Sequence, residues 1–145
     1  MAELMAGVFA SRGNYGLVLH GGDGLDELTT TTSSTVWVYA DGEVERMELD
    51  PQTLGVPRAS LSDLVGGDAR VNAGVVRELV AGKPGPIRDV VVLNTAAALV
   101  AYGKPATGRL EADFAAELER ARQAIDSGAA QSKLRAWIEA SQSVG

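Results

Sequence analysis

Hydrophobic positions along the first third of the chain predict one helix and three strands. The first helix is predicted by apolar residues at helical spacing, Leu4, Met5, Val8 and Phe9, and is expected to end at Arg12–Gly13. The apolar run at residues 16–22, GLVLHGG, is closed by glycines and favours a buried strand. Apolar residues then have strand-like spacing on both sides of Asp41–Gly42, a pair that accepts the positive φ of a tight turn, although the alternation is broken at Arg46–Met47 and leaves the register open. We therefore expect a β-hairpin around this pair.

The rest of the chain has a mainly helical pattern. Pro51 and Pro57 predict an irregular connection, and a helix is expected between Asp68 and the stop at Gly82. The segment at residues 87–103 begins like a strand and continues as an alanine-rich helix, and its length favours a buried helix. One amphipathic helix has an apolar face formed by Leu110, Phe114, Leu118, Ala121 and Ile125. A last helix is indicated by Leu134, Trp137 and Ile138.

This order of elements predicts an α/β fold in which a few strands pack with about five helices. An open sheet of three strands normally belongs to a larger sheet. A length of 145 residues, with 46% hydrophobic and 22% charged residues, is typical of one globular domain. No internal repeat is present, and the only low-complexity stretch is the short run of threonine and serine at residues 29–35.

Charge and composition exclude several classes of partner. The net charge is −6 and no Lys/Arg cluster exists, so we expect no nucleic-acid partner. Cysteine is absent, which excludes disulfides and thiolate metal sites and fits a reducing compartment. No apolar run reaches about 18 residues, so no membrane span is expected. The start MAELMAGVFASRG lacks the features of a signal peptide, and we expect a cytoplasmic protein.

The candidate chemistry lies in the stretch HGGDGLDELTTTTSST, residues 20–35. Its glycines would let the backbone approach phosphate oxygens, and Asp26 and Glu27 follow directly. Mg²⁺ prefers oxygen ligands and is commonly held by one or two carboxylates together with substrate phosphates and water. The pair also follows a strand, where open α/β sheets bind ligands. On the residues alone, a magnesium site and an ordinary polar loop both remain open.

Several stretches resemble the C-terminal half of bacterial anthranilate phosphoribosyltransferases. They are VLHGGDGLDELTTTTSSTVWVY, LDPQTLGVPRASLSDLVGGDARVNAGVVRELVAGKPGPIRDVVVLNTAAALVAYG and AIDSGAAQSKL, together with the front helix AELMAGVFASRG. The resemblance implies transfer of phosphoribosyl from phosphoribosyl pyrophosphate (PRPP) to the amine of anthranilate, in tryptophan biosynthesis. The products are N-(5-phosphoribosyl)anthranilate and pyrophosphate. It also implies a homodimer whose large α/β domain has the class IV phosphoribosyltransferase fold, similar to nucleoside phosphorylases.

In that family an Asp-Glu pair within a GLDE motif coordinates a Mg²⁺ that engages the pyrophosphate. The resemblance places this role on Asp26 and Glu27. No catalytic side chain is expected, because the amine of the substrate is the nucleophile. The family motifs GTGGD, N-x-S-T and K-H-G-N are absent, as is the arginine that helps to hold anthranilate. We therefore expect residues 1–145 to be the C-terminal portion of the α/β domain, without the N-terminal helical domain and the donor-loop half, and to be inactive alone.

Two other function classes remain open, a non-enzymatic module that completes a partner half and a pyrimidine nucleoside phosphorylase-like protein. His20 and Asp23 are further candidates for substrate binding, and a structural hydrogen bond or a turn role is the alternative for each. The run Thr29–Thr35 could contact phosphate or lead into a strand. We expect Asp68 to cap a helix and Asn94 to satisfy a backbone group in the core. Trp37 and Trp137 are expected to pack rather than to stack on a ligand.

Overall fold

The computed structural model describes residues 1–143, which form one antiparallel sheet and six α-helices. The strands are β1 (Gly16–Gly21), β2 (Ser34–Ala40) and β3 (Glu43–Leu49), in the order β1-β2-β3. The helices are α1 (Ala2–Ser11), α2 (Leu61–Leu64), α3 (Ala69–Val80), α4 (Pro86–Tyr102), α5 (Leu110–Asp126) and α6 (Ala129–Gln142). The expected α/β fold is confirmed.

The hairpin between β2 and β3 forms as the sequence predicts. Asp41 and Gly42 are its two loop residues and have φ values of 52° and 84°. Positive φ at both positions matches the twist of the flanking strands. Alternate residues of β2, including Val36 and Val38, are fully buried, so one face of the hairpin points into the core.

The core lies between β2 and the two long helices, α4 and α5. The five apolar residues predicted for α5 are all buried, and Phe114 is completely enclosed. The ambiguous segment is helical throughout, because α4 buries a stripe at helical spacing rather than alternate residues. The buried residues of α4 are Val92, Leu93, Ala96, Ala97 and Val100.

Two elements pack differently from their sequence pattern. The residues Leu17–Leu19 of β1 are only half-buried, because β1 is an edge strand that pairs with β2 alone in the described sheet. Helix α1 buries Ala6 and Ala10, whereas the larger Leu4 is 70% exposed. Small side chains allow this helix to approach the sheet closely, and Phe9 stacks on Tyr39 with ring centroids 5.5 Å apart.

The helix expected between Asp68 and Gly82 is confirmed as α3, although none of its residues is buried. Two further expectations are corrected. Pro51 does not block regular structure but begins a 3₁₀-helix, Pro51–Leu54, because a proline fits the first turn and Asp50 accepts a hydrogen bond from the Gln52 amide. Trp137 is 72% exposed and does not pack in the core. No helix among the described residues is long and apolar enough to span a membrane.

Candidate functional site

The loop between β1 and β2 closes tightly on itself at its base. The Gly21 amide donates to the Leu25 carbonyl at 2.8 Å, and the Gly22 amide donates to the Ser33 carbonyl at 2.9 Å. A Cβ at Gly21 would lie 2.6 Å from Oδ1 of Asp23, 3.1 Å from the Glu27 oxygen and 3.2 Å from the Leu25 oxygen. A larger residue would therefore have to displace Asp23 and press on the loop backbone, which passes close to the end of the strand.

Asp23 holds the shape of this loop from within. Its Oδ2 accepts hydrogen bonds from the hydroxyls of Thr29 and Thr31, each at 2.6 Å, and its Oδ1 accepts one from the Leu25 amide at 3.2 Å. Burial opposes the charge of Asp23, but the bonds from Thr29, Thr31 and Leu25 outweigh it and lower the pKa of this carboxyl. The turn role that the sequence suggested for Asp23 is confirmed. The hydroxyls of Thr29 and Thr31 are engaged with Asp23.

Asp26 and Glu27 are exposed at the outer side of the loop, beyond the carboxyl end of β1. Within residues 1–143, neither carboxylate makes a hydrogen bond or an ion pair. Their neighbours are held firmly, since Leu25 is bonded to Gly21 and Asp23, and Leu28 is completely buried. The pair is therefore an exposed two-residue span between two anchored residues.

On the C-terminal side of the acidic pair, the loop is anchored by Asn94, which projects from α4. Its Oδ1 accepts from the Leu28 amide at 3.0 Å, and its Nδ2 donates to the Leu28 carbonyl at 2.8 Å. The second Nδ2 proton goes to the Val90 carbonyl at 2.9 Å. Asn94 thus satisfies backbone groups, as expected, and the structure adds that the principal one belongs to the residue after Glu27.

An open groove of about 640 Å³ lies between this loop and α4. Its lining is mostly apolar, from residues such as Leu25, Leu64 and Val91, with Glu27 and Asn94 among the few polar side chains. Glu27 therefore lies at the edge of an apolar recess, next to Asp26 in the chain. This arrangement combines a few oriented polar groups with apolar walls, as small-molecule sites commonly do.

The donor set of the loop fits a magnesium ion that is shared with a substrate. Asp26 and Glu27 offer hard carboxylate oxygens with no competing partner among residues 1–143. No group of three or more potential ligands occurs in that part of the chain. Because Mg²⁺ demands about six oxygens, the remaining positions would be filled by phosphate oxygens and water.

The other sequence candidates lie outside this arrangement or have structural roles. His20 is exposed at the end of β1, opposite Thr35 of β2, and its side chain has no hydrogen bond within residues 1–143. Asp68 caps α3, accepting from the amides of Arg70 and Val71 at 2.9 Å each. Sequence reasoning missed the link between Asn94 and the acidic pair, for which a lone amide in an apolar helix was the only signal.

Known proteins resemble this chain over nearly its whole length. The chain is 57% identical, over 142 residues, to an anthranilate phosphoribosyltransferase from Thermobifida fusca. That match covers 98% of this chain and 40% of the relative. The chain thus spans about two fifths of the length of the curated relatives it matches.

Solved structures share the fold. An anthranilate phosphoribosyltransferase from Thermus thermophilus is 31% identical with a TM-score of 0.79, covering 95% of this chain and 39% of that one. The enzyme from Saccharomyces cerevisiae in complex with PRPP and Mg is 25% identical with a TM-score of 0.74, covering 88% and 35%. Residues 1–131 match the family model described as "Glycosyl transferase family, a/b domain". The chain therefore belongs to this glycosyl transferase family.

Proposed function

We propose that this chain provides the metal-binding part of the active site of an anthranilate phosphoribosyltransferase. The reaction transfers phosphoribosyl from PRPP to the amine of anthranilate, releases pyrophosphate and belongs to tryptophan biosynthesis. The observation that carries the proposal is the exposed acidic pair, Asp26 and Glu27, free of protein partners within residues 1–143 and anchored on both sides. The names of the matching relatives favour this transferase over a pyrimidine nucleoside phosphorylase.

The family supports magnesium as the metal, because the yeast relative is solved in complex with PRPP and Mg. A bound Mg²⁺ would supply electrostatic stabilisation of the negative charge that develops on the departing pyrophosphate. Asp26 and Glu27 would hold the ion through their carboxylate oxygens. The hydrogen-bonded flanks at Leu25 and Leu28 would restrict the positions of both carboxylates.

The rest of the site is proposed to lie on sequence that this chain does not contain. The relatives are about two and a half times as long as this chain, and the motifs of the donor loop are absent from the 145 residues. In this proposal the chain is the C-terminal portion of the α/β domain. A homodimeric assembly and a cytoplasmic location stay predictions that rest on the resemblance.

A chimeric transferase provides the test. The segment of the Thermobifida fusca relative that matches this chain is replaced by residues 1–145, and product formation is followed at varied Mg²⁺ and PRPP. We expect the chimera to be active. The double variant Asp26→Asn/Glu27→Gln should lose at least about 100-fold in kcat/KM, equivalent to about 2.7 kcal/mol of transition-state stabilisation.

A matched control is available in the hairpin. The double variant Asp41→Asn/Glu43→Gln removes the same two charges at the opposite end of β2, and asparagine tolerates the positive φ of Asp41. Its activity should stay within about twofold of the parent chimera. Equal activities of the parent and of both double variants would refute the metal assignment. A well-folded but inactive parent chimera would instead favour a non-enzymatic module.

A further inference from the structure

We propose that Asn94 is a positioning residue for the acidic pair, fixing Asp26 and Glu27 for metal binding from a helix that carries no ligand itself. The inference rests on the proposed function, because it concerns the same metal site. It assigns to α4 a part in that site beyond the packing of its buried face.

On the C-terminal side of Glu27, Asn94 is the nearest side chain that anchors the loop. Leu28 directly follows Glu27, and both its amide and its carbonyl are bonded to the Asn94 side chain, at 3.0 Å and 2.8 Å. This bidentate contact joins residues 66 positions apart in the sequence. The loop backbone is otherwise irregular here, so the side-chain amide replaces the partner that a neighbouring strand would supply.

A purely local role for Asn94 does not account for these contacts. A polar residue inside a helix commonly bonds to the carbonyl four positions earlier, as Asn94 does with Val90. Its neighbour Thr95 makes only this kind of bond, to Val91 at 2.7 Å. Asn94 in addition donates its other Nδ2 proton to the Leu28 carbonyl and accepts from the Leu28 amide through Oδ1. Asn94 therefore couples the helix to the acidic loop, whereas Thr95 does not.

The coupling matters because magnesium imposes strict geometry. Mg²⁺ requires oxygens at about 2.0–2.1 Å in a near-octahedral arrangement. Two carboxylates on an unrestrained loop would lose conformational freedom when they bind, and that loss weakens affinity. Residues that orient metal ligands typically change metal affinity by about 10- to 100-fold when they are replaced. Loss of the Asn94 contact should therefore weaken the metal site while the ligands themselves remain.

Binding of Mn²⁺ in the presence of inorganic pyrophosphate tests this role. Free Mn²⁺ is counted by electron paramagnetic resonance in the chimeric transferase, for the parent, Asn94→Leu and the matched control Thr95→Val. Asn94→Leu should weaken Mn²⁺ binding by about tenfold or more, and Thr95→Val by less than about twofold. In activity assays, Asn94→Leu should require more Mg²⁺ and recover turnover at saturating Mg²⁺, with the KM for anthranilate unchanged.

The outcomes separate this inference from the function on which it rests. Binding by the parent and equal binding by both single variants would overturn the role of Asn94 alone. Equal Mn²⁺ binding by the parent and by the double variant Asp26→Asn/Glu27→Gln would overturn the metal site and this inference together. If Asn94→Leu does not fold, Asn94→Ala removes both contacts to Leu28 with a smaller side chain and without adding charge. A folded Asn94→Ala with parental Mn²⁺ affinity would likewise overturn the proposal.

Discussion

Replacement of Asp23 by alanine should destabilise the fold although Asp23 is not a proposed metal ligand. The change removes the charged acceptor of the Thr29 and Thr31 hydroxyls, and it leaves the completely buried Thr29 hydroxyl with only a longer contact to Thr31 Oγ1 at 3.2 Å. Loss of a hydrogen bond to a charged acceptor costs about 1.5–3 kcal/mol. Since Asp23 itself is only half-buried, we expect Asp23→Ala to lower the free energy of unfolding at pH 7 by about 2 kcal/mol.

The effect of Asp23 should also depend on pH in a defined direction. The pKa of Asp23 is lower in the folded chain than its ordinary value of 3.8, so folding favours the charged form. The stabilisation is complete above pH 3.8 and decreases as the pH falls below that value, through the folded pKa. The difference between parent and Asp23→Ala should therefore stay constant between about pH 7 and 5, and narrow below pH 3.8.

Urea unfolding of the chain, followed by tryptophan fluorescence, measures both effects. Two protein concentrations reveal any contribution from association. Asp26→Ala is the matched control, because it removes the same type of side chain from the same loop without breaking a hydrogen bond among residues 1–143. Its unfolding free energy should change by less than about 0.5 kcal/mol. Equal destabilisation by both variants at pH 7, or a difference that does not narrow at low pH, would refute the reasoning.

Two other outcomes follow from the structure. Gly21→Ala should raise the Mg²⁺ concentration that the chimeric transferase needs for activity, because the added Cβ would press on the backbone oxygens of Leu25 and Glu27. The comparison variant is Gly24→Ala, whose Cβ would meet open space and whose only cost is the strain of a φ of 96°. An unchanged Mg²⁺ requirement in Gly21→Ala would contradict this. The 145-residue chain alone should form no product and should self-associate in light scattering, since β1 is an edge strand and Leu4 and Val65 are 70% and 75% exposed. Product formation, or a stable monomer, would count against it.

Local patterns in the sequence were sufficient for the elements whose signals are local. The Asp41–Gly42 turn requires positive φ at two neighbouring residues, and the five-residue apolar face of α5 requires only helical spacing. The resemblance to known transferases identified the fold and the acidic pair, Asp26 and Glu27, as candidate ligands. The GLDE motif carried that information because it lies within four consecutive residues.

Contacts between distant segments could not be read from the sequence. Which side of α1 packs was decided by the sheet, whose surface admits Ala6 and Ala10 closely and leaves Leu4 outside. The principal partner of Asn94 was likewise decided by tertiary structure. Asn94 reaches Leu28 across 66 residues only because α4 packs beside the loop, and no periodicity or spacing encodes that distance. The sequence by itself thus singled out the two carboxylates that we propose as metal ligands, whereas the packing of α4 against the loop determined how the loop that carries them is held.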